Sequence, residues 1–474
     1  NYKGRYLFEV DGRYDGSSKF PRGDRFGFFP SFSLGYRISE EKFFEPLRNV
    51  VDNLKLRASY GTLGNQDVGS YDYIQSINTQ KVMGNYTFDK VSGADYAYAD
   101  NPVSGALTWE KVIHKNVGLD LSMLSSRLNL SFDAYIRDVK GILTQGKSLP
   151  SIYGAAEPMV NANDIRTKGW ELTFGWRDSF KIAGRPFHYS LSATLADYKA
   201  KYTKVDNPSG ILSDPYVGKE VGEIWGYRVA GLFKTTAEAQ EYASKINLTE
   251  VCYDYFRSDA GVYGRGIQAG DMKFLDLNGD NVVNGGAGTL DNPGDRVKIG
   301  NSNPRYTYGL NLAFEWLGFD VSAFFQGVGH QDWYPANDNI KFWGPYVRPF
   351  ASFIPRNFMS DVWSEKNTDA YFPRARAYSA RDSKHSLRNV NDRYMQNLAY
   401  CRLKNLTLGY SLPEQWISKA GLSKCRIYFS GENLFYWTKL HNDFIDPEQA
   451  TTSSGNSDVY PWYKTFAFGI NLTF

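Results

Sequence analysis

The last twelve residues of the chain, Tyr463 to Phe474, place the strongest constraint on its fold. Large apolar side chains alternate strictly with small or polar ones throughout this stretch. Successive side chains of a β-strand point to opposite faces, so a period of two predicts a strand with one wholly apolar face. A soluble sheet buries such a face against a core, whereas a membrane barrel turns it toward lipid. The apolar set is Phe466, Phe468, Ile470, Leu472 and Phe474, and the interleaved set is Ala467, Gly469, Asn471 and Thr473.

The same alternation recurs along the rest of the chain. About a dozen segments show it, and several run for about 9–12 residues, the length that a tilted membrane strand needs. Most strands of soluble proteins are nearer 5–6 residues. The pattern therefore favours a membrane barrel. Before the terminal strand, the segments begin near Tyr6, Phe28, Leu54, Val117, Leu128, Trp170, Tyr189, Tyr306, Phe319, Leu406 and Ile427.

The connections between these segments alternate in length. Short turns, such as Ser125-Ser126 and Leu317-Gly318, separate long loops. A compact soluble domain seldom has loops this long, whereas outer-membrane barrels combine short periplasmic turns with long extracellular loops. Within the long loops, one segment, Thr236–Lys245, is predicted to be a helix. The long loops are predicted over residues 62–111, 138–167, 200–305 and 327–397.

The composition also favours a barrel. Aromatic residues make up 16% of the chain, yet its mean hydropathy is −0.46. Barrels combine these properties because only alternate residues face lipid and because Tyr and Trp collect at the membrane interfaces. The net charge of +3 is too small to indicate a nucleic-acid partner. No apolar run approaches the ~20 residues of a membrane-spanning helix.

We therefore predict an all-β fold over residues 1–474, the C-terminal part of a large antiparallel transmembrane β-barrel with long extracellular loops. The sequence opens inside a strand, near Tyr6, without a signal peptide, so we expect it to be part of a longer polypeptide. Three cysteines are too few for a disulfide framework. Cys401 and Cys425 lie on consecutive predicted strands, but inert thiols are the favoured interpretation.

Catalytic chemistry has little support in the sequence. The five histidines are scattered without the spacing of metal ligands, and no serine lies in a nucleophile elbow. We therefore predict that the chain is not an enzyme and requires no cofactor. The histidines are His114, His188, His330, His385 and His441.

A series of short motifs runs in order through the chain. Together they resemble the SusC/RagA family of TonB-dependent outer-membrane transporters, and their order is far more specific than any one of them. The motifs include Asp15-Gly16-Ser17-Ser18-Lys19-Phe20, Leu107-Thr108-Trp109-Glu110, Lys168-Gly169-Trp170, Gly222-Glu223-Ile224-Trp225-Gly226-Tyr227, Asp276-Leu277-Asn278-Gly279-Asp280, Ile299-Gly300-Asn301-Ser302-Asn303-Pro304, Arg402-Leu403-Lys404-Asn405, Asp446-Pro447-Glu448 and the terminal strand.

The resemblance implies a barrel of about 22 strands around a plugged lumen, with the plug domain, the TonB box and the first strands absent from residues 1–474. It also implies active import of oligosaccharides or peptides across the outer membrane of a Gram-negative bacterium. The implied partners are a SusD-like lipoprotein lid, the TonB complex and the lipid bilayer. The alternative is a passive porin, or a structural or binding barrel, without energy coupling.

The segment from Asp276 to Asp295 matches part of a calcium-binding loop. Hard oxygen ligands at alternate positions can wrap one ion. The match departs at Asn281, where the pattern has glycine, and at Ala287, where it has an acid. The family resemblance makes Asp295 the displaced acidic ligand. The candidate ligands are Asp276, Asn278, Asp280, the carbonyl of Val282, Asn284 and Asp295.

Two alternatives to this structural calcium site need no metal. One is an Asx-rich turn. The other is an ion-paired loop, in which Lys273, Arg296 and Lys298 neutralise the carboxylates.

A group of aromatic residues in the last long loop is the candidate substrate-binding site. Aromatic faces with a few polar groups suit carbohydrate and peptide surfaces equally well. The alternative is that these rings seal the loops to each other or to a lid protein, or lie in the interfacial girdle. The candidate residues are Trp333, Tyr334, Phe342, Trp343, Tyr346 and Arg348.

Overall fold

The contacts of the chain divide it into two compact units. The first comprises residues 1–172, 198–208 and 214–220, and the second comprises residues 173–197, 209–213 and 221–474. The computed structural model describes all residues except 71, 82–86, 89–90, 93–94, 100–101, 106, 147–151, 153–156, 257–265, 349–353, 452–459 and 461.

Twelve long strands form one sheet in which neighbours in sequence are neighbours in space. The pairs from β1 to β5 and from β7 to β12 are antiparallel. The fold class predicted from the alternating pattern is confirmed. The strands are β1 (Tyr6–Gly16), β2 (Phe26–Arg37), β3 (Val51–Asn65), β4 (Glu110–Met123), β5 (Leu128–Gln145), β6 (Met159–Ile182), β7 (Arg185–Lys204), β8 (Arg305–Trp316), β9 (Phe319–His330), β10 (Tyr400–Ser411), β11 (Lys424–Thr438) and β12 (Thr465–Thr473).

The register aligns apolar residues with apolar residues across neighbouring strands. On β11 and β12, Phe429 lies opposite Phe468 and Ile427 lies opposite Ile470. These aligned side chains form an exposed apolar face, on which Phe468 is 82% exposed. An apolar face that is not covered by protein is the arrangement that a lipid-facing wall requires.

Two-residue turns close the hairpins between β6 and β7 and between β8 and β9. Ala183 and Gly184 have φ of 50° and 77°, and Leu317 and Gly318 have φ of 53° and 85°. Positive φ at both positions is typical of the type I′ turn, whose twist matches that of paired strands. The short turn predicted at Leu317-Gly318 is therefore confirmed.

The strands β5, β6 and β7 are longer than predicted, with 18, 24 and 20 residues. The segment 138–167 was predicted to be a loop, but its residues 138–145 and 159–167 are strand. Cross-strand ion pairs explain the extension, because Asp138 contacts Arg166 and Lys140 contacts Asp164. Polar pairs of this kind continue a strand beyond its apolar stretch.

The connections carry short elements of their own. The helix predicted at Thr236–Lys245 is confirmed as α1, with Thr235 as its N-cap and Glu238 accepting from the amide of Lys234. Three one-turn helices were not predicted, namely α2 (Tyr253–Phe256), α3 (Ile340–Trp343) and α4 (Glu414–Ile417). The 3₁₀ helices in the described part of the chain include Ile38–Glu40, Lys42–Leu47, Gly344–Tyr346, Phe358–Asp361 and Ser418–Ala420.

Five small two-stranded ladders complete the described secondary structure. They pair Ile77–Lys81 with Asp95–Ala99, Thr87–Phe88 with Val91–Ser92, Glu223–Gly226 with Val297–Asn301, Val229–Leu232 with Met272–Phe274, and Asp332–Trp333 with Gln396–Asn397. No helix in the described part of the chain is long and apolar enough to cross a membrane.

The hydrophobic core lies mainly in the connections, with Phe29 as a contribution from β2 of the long sheet. In the second unit, buried residues between Tyr227 and Ala450 form one large cluster. In the first unit, Phe20, Phe29, Leu107 and Trp109 form a smaller cluster. We call the connections around the larger cluster the loop layer, and define it as the described residues within 221–301, 332–399 and 439–450.

Candidate functional site

The polar face of the first unit holds a guanidinium between two carboxylates. Arg57 on β3 lies 2.8 Å from Asp120 on β4 and 2.9 Å from Asp133 on β5. Gly118 lies between Arg57 and Asp133 in the register of the sheet. A Cβ at this position would lie 2.6 Å from the Asp133 carboxylate and 2.8 Å from the guanidinium carbon. The glycine therefore lets one ion pair cross over the middle strand.

The second unit repeats this arrangement. Asp320 on β9 and Arg426 on β11 form a bidentate pair at 2.8 and 2.5 Å, although β10 lies between their strands. Gly409 on β10 lies beneath the pair, and a Cβ there would overlap both partners. On β7 and β8, Asp197 and Arg305 form another bidentate pair.

Sequence reasoning did not find these pairs. The pairing depends on the register between strands that are up to about a hundred residues apart. A usable signal is an acid and a base on alternate strands with a glycine in register between them. Within each pair the opposite charges neutralise each other on the polar face.

Two of the sequence motifs meet where β10 enters the loop layer. Arg402 lies 2.5 Å from Asp446, and Lys404 lies 2.7 Å from Glu448. Arg402 is almost completely buried, and its guanidinium lies 4.7 Å from the ring centre of Tyr436. A buried charge requires such partners. These motifs therefore join β10 to the loop that precedes β12.

Two further motifs also pair. The strand Glu223–Gly226 pairs with Val297–Asn301. The side chain of Asn303 donates to the carbonyl of Val221 at 2.6 Å. These four motifs therefore hold together segments that are distant in the sequence.

The candidate substrate aromatics lie mostly inside the loop layer. Phe342, Trp343 and Tyr346 are fully buried. The Phe342 and Trp343 rings meet edge to face at 4.8 Å, and the hydroxyl of Tyr346 donates to the carbonyl of Pro373 at 2.6 Å. In this structure the three rings pack between the loops, which is the arrangement of the alternative role, in which they seal the loops to one another. Substrate contact by these residues stays a prediction.

The other three candidate side chains are more exposed to solvent. Trp333 and Tyr334 pack against the core while remaining partly exposed, and Arg348 is exposed. The Tyr334 hydroxyl donates to the carbonyl of Leu387 at 2.7 Å and accepts from the Asn391 side-chain amide at 2.9 Å. Burial raises the pKa of Tyr334. Substrate contact by these three residues stays a prediction.

Backbone amides donate hydrogen bonds to two carboxylates of the candidate calcium loop. The two oxygens of Asp276 accept from Gly279 at 2.7 Å and Asn281 at 2.9 Å. The buried carboxylate of Asp295 accepts from the amides of Leu277 at 2.7 Å and Asn284 at 2.8 Å. Among the described residues, no three Asp, Glu, His or Cys side chains converge as metal ligands.

The three basic residues named as competing partners contact other groups. Lys273 contacts Glu238, and Lys298 contacts Glu223. The Arg296 guanidinium donates to the carbonyl of Gly285 at 2.8 Å. The geometry is that of an Asx-rich turn stabilised by its own backbone, and bound calcium stays a prediction.

Two carboxylates are buried together elsewhere in the loop layer. Asp271 is paired with Arg376 at 2.6 and 2.9 Å. Asp254 instead accepts from the amide and the hydroxyl of Ser386, at 2.9 and 2.7 Å. Burial raises the pKa of Asp254 to about 7, against the opposing effect of these hydrogen bonds. Burial also raises the pKa of Asp271. The three cysteines are free thiols.

A long antiparallel sheet with an exposed apolar face, an ion-paired polar face and a packed loop layer defines the wall of a large membrane barrel. The chain belongs to the family described as TonB dependent receptor-like, beta-barrel, whose sequence model matches residues 1–434. The resemblance inferred from the ordered motifs is therefore confirmed.

Individual relatives support this assignment. The chain is 27% identical to TonB-dependent receptor P3 of Formosa agariphila, over 100% of this chain and 44% of that protein. It is 26% identical to TonB-dependent receptor SusC of Bacteroides thetaiotaomicron, over 99% of this chain and 42% of that protein. Among solved structures, the RagAB peptide transporter matches with a TM-score of 0.70 at 21% identity, over 99% of this chain and 46% of that one. The chain spans less than half the length of these relatives.

Proposed function

We propose that this chain forms wall strands and extracellular loops of a transporter that imports oligosaccharides or peptides across the outer membrane of a Gram-negative bacterium. The observation that carries the proposal is the two-faced sheet, whose apolar side is exposed and whose polar side pairs its own charges. A wall of this kind suits lipid on one face and a hydrated lumen on the other. Family membership supports a TonB-dependent mechanism.

The proposed partners are a SusD-like lipoprotein on the outer face and the TonB complex in the periplasm. The chain is similar to SusC and to the RagAB peptide importer, for which open-open and closed-closed states are described. In this proposal, ligand binding shifts the populations of open and closed states, and TonB supplies the force. The role is transport and not catalysis.

Uptake by cells tests the proposal. The full-length receptor, expressed with its lipoprotein partner in a strain that lacks other importers, should take up labelled oligosaccharide or peptide only when TonB is present. Replacing the partner with an inactive lipoprotein is the matched control. Uptake that continues at the same rate without TonB would refute active import and would favour a passive porin.

A further inference from the structure

A pocket of about 270 Å³ opens in the loop layer between residues 355–361 and residues 440–444. Phe358 and Phe372 form its floor, and their rings stack at 5.0 Å. Both floor rings are almost completely buried, and Phe372 packs edge to face on Phe342 at 5.7 Å. The pocket therefore lies directly above the sealed aromatic cluster.

Hydrogen bonds and ring contacts hold the rim of the pocket in place. The ring of His441 stacks on Tyr371 at 3.6 Å, and its backbone amide donates to the side chain of Gln396 at 3.2 Å. The side-chain amide of Asn442 donates to the carbonyl of Lys341 at 2.9 Å. Because both rim residues are tied to the buried core, the pocket needs little ordering before it binds a ligand.

The charge of the pocket is negative. Asp361 and Asp443 line it together with His441, whose Nε2 lies 3.5 Å from the Asp361 carboxylate. None of the ten described residues that line the pocket is Lys or Arg. Two carboxylates above an aromatic floor attract a cation and repel an anion.

We propose that this pocket binds one cationic side chain, Lys or Arg, of an incoming peptide. The proposal rests on the proposed import function and assigns its substrate class. The carboxylates of Asp361 and Asp443 would accept hydrogen bonds from the cationic head group. The apolar floor and the half-exposed ring of Phe444 would cover its methylene stem.

A peptide side chain fits this pocket better than a sugar does. Phe358 and Phe372 are almost completely buried, so among the described lining residues the half-exposed Phe444 is left as the phenylalanine face on which a sugar could stack. The ring of His441 already has one face against Tyr371. The volume is slightly below that of ordinary ligand pockets, about 300–1,000 Å³, and suits a single side chain. The carboxylate or sulfate groups of acidic sugars would be repelled by the carboxylates of Asp361 and Asp443.

The test uses the purified full-length receptor with two variants, Asp361→Asn and Asp443→Asn, which keep the shape of the pocket and remove one charge each. Asp369→Asn is the matched control, because it makes the same change on the same loop at a side chain that is 86% exposed. The probes are three fluorescent peptides that differ only in a central Lys, Gln or Glu, and one neutral oligosaccharide. Affinity is measured by fluorescence anisotropy at low and high salt.

We expect each pocket variant to bind the Lys peptide about tenfold more weakly, the effect of losing one charge-assisted hydrogen bond. The affinity for the Gln peptide and the behaviour of Asp369→Asn should be unchanged. Equal losses for the Lys and Gln peptides, or loss of oligosaccharide binding alone, would overturn the assignment. If the native receptor binds these probes but the pocket variants match it, only the pocket is wrong. If the native receptor binds none of them, the proposed function fails as well.

Discussion

Replacing Asp254 with asparagine should change how the stability of the loop layer depends on pH. Asp254 is fully buried, and its carboxylate accepts two hydrogen bonds from Ser386. The neighbouring cation, Arg376, is already paired with Asp271. An asparagine side chain at this position would keep an oxygen for the Ser386 amide and would place an NH₂ group toward the hydroxyl. The variant therefore resembles the protonated acid but cannot titrate.

The size of the effect follows from the two pKa values of Asp254. The pKa of Asp254 in the folded protein is about 7, whereas the pKa of an unfolded aspartate is about 3.9. Between these values the folded loop holds a proton that the unfolded loop releases, so stability is fully present below about pH 4 and falls as pH rises to 7. A difference of about three pH units corresponds to about 4 kcal/mol. The variant should lack this loss and should therefore be the more stable protein at pH 8.

Hydrogen exchange in the full-length receptor measures this local stability. Peptides that cover residues 248–256 and 384–391 are followed between pH 5 and pH 8.5, after correction for the intrinsic exchange rate. Protection in the native protein should fall with pH, whereas protection in Asp254→Asn should stay flat. Asp369→Asn is the exposed control and should follow the native protein. The reasoning would be refuted if protection in Asp254→Asn fell with pH as it does in the native protein. It would also be refuted if the variant were equally destabilised at pH 5 and at pH 8.5.

Three further predictions test the wall and the loop. Arginine at Leu310, on the apolar face, should lower the free energy of unfolding in lipid by about 2–4 kcal/mol, as measured by urea titration. Arginine at Asn311, on the polar face, should lower it far less. Equal effects of the two substitutions would contradict the two-faced sheet. Gly409→Val should separate the ion pair that crosses β10 and should lower the melting temperature at low salt. Gly61→Val is the control for a general glycine effect, because Gly61 also lies on a long strand but its Cβ would meet only Ser31, at 3.5 Å. Equal shifts for both variants would remove the special role of Gly409. If calcium binds the Asp276–Asp295 loop, Asp280→Ala should abolish calcium binding by calorimetry and the melting shift that calcium produces. If calcium binding and thermal stability are unchanged in this variant, the loop does not bind calcium through Asp280 and the metal-site hypothesis is wrong.

The alternating pattern determined most of the wall from the sequence. A period of two is a local property, and it fixes both the strand and the face on which each side chain lies. The terminal strand could therefore be predicted from its own residues. The helix α1 was likewise predicted from its own residues. The extensions of β5 and β6 could not, because their polar residues become strand only through pairs such as Asp138–Arg166 on a neighbouring strand.

Tertiary structure decided which aromatic residues are buried and which charges meet. An aromatic cluster has the same sequence pattern whether it binds a ligand or seals a core. Only the packing of Phe342 and Trp343 against residues from other loops places them inside. The ion pair between Arg402 and Asp446 likewise joins residues 44 positions apart, and Gly409 matters only because two strands on either side reach across it. These features depend on register and loop packing, which are set by contacts between distant segments and leave no local periodicity.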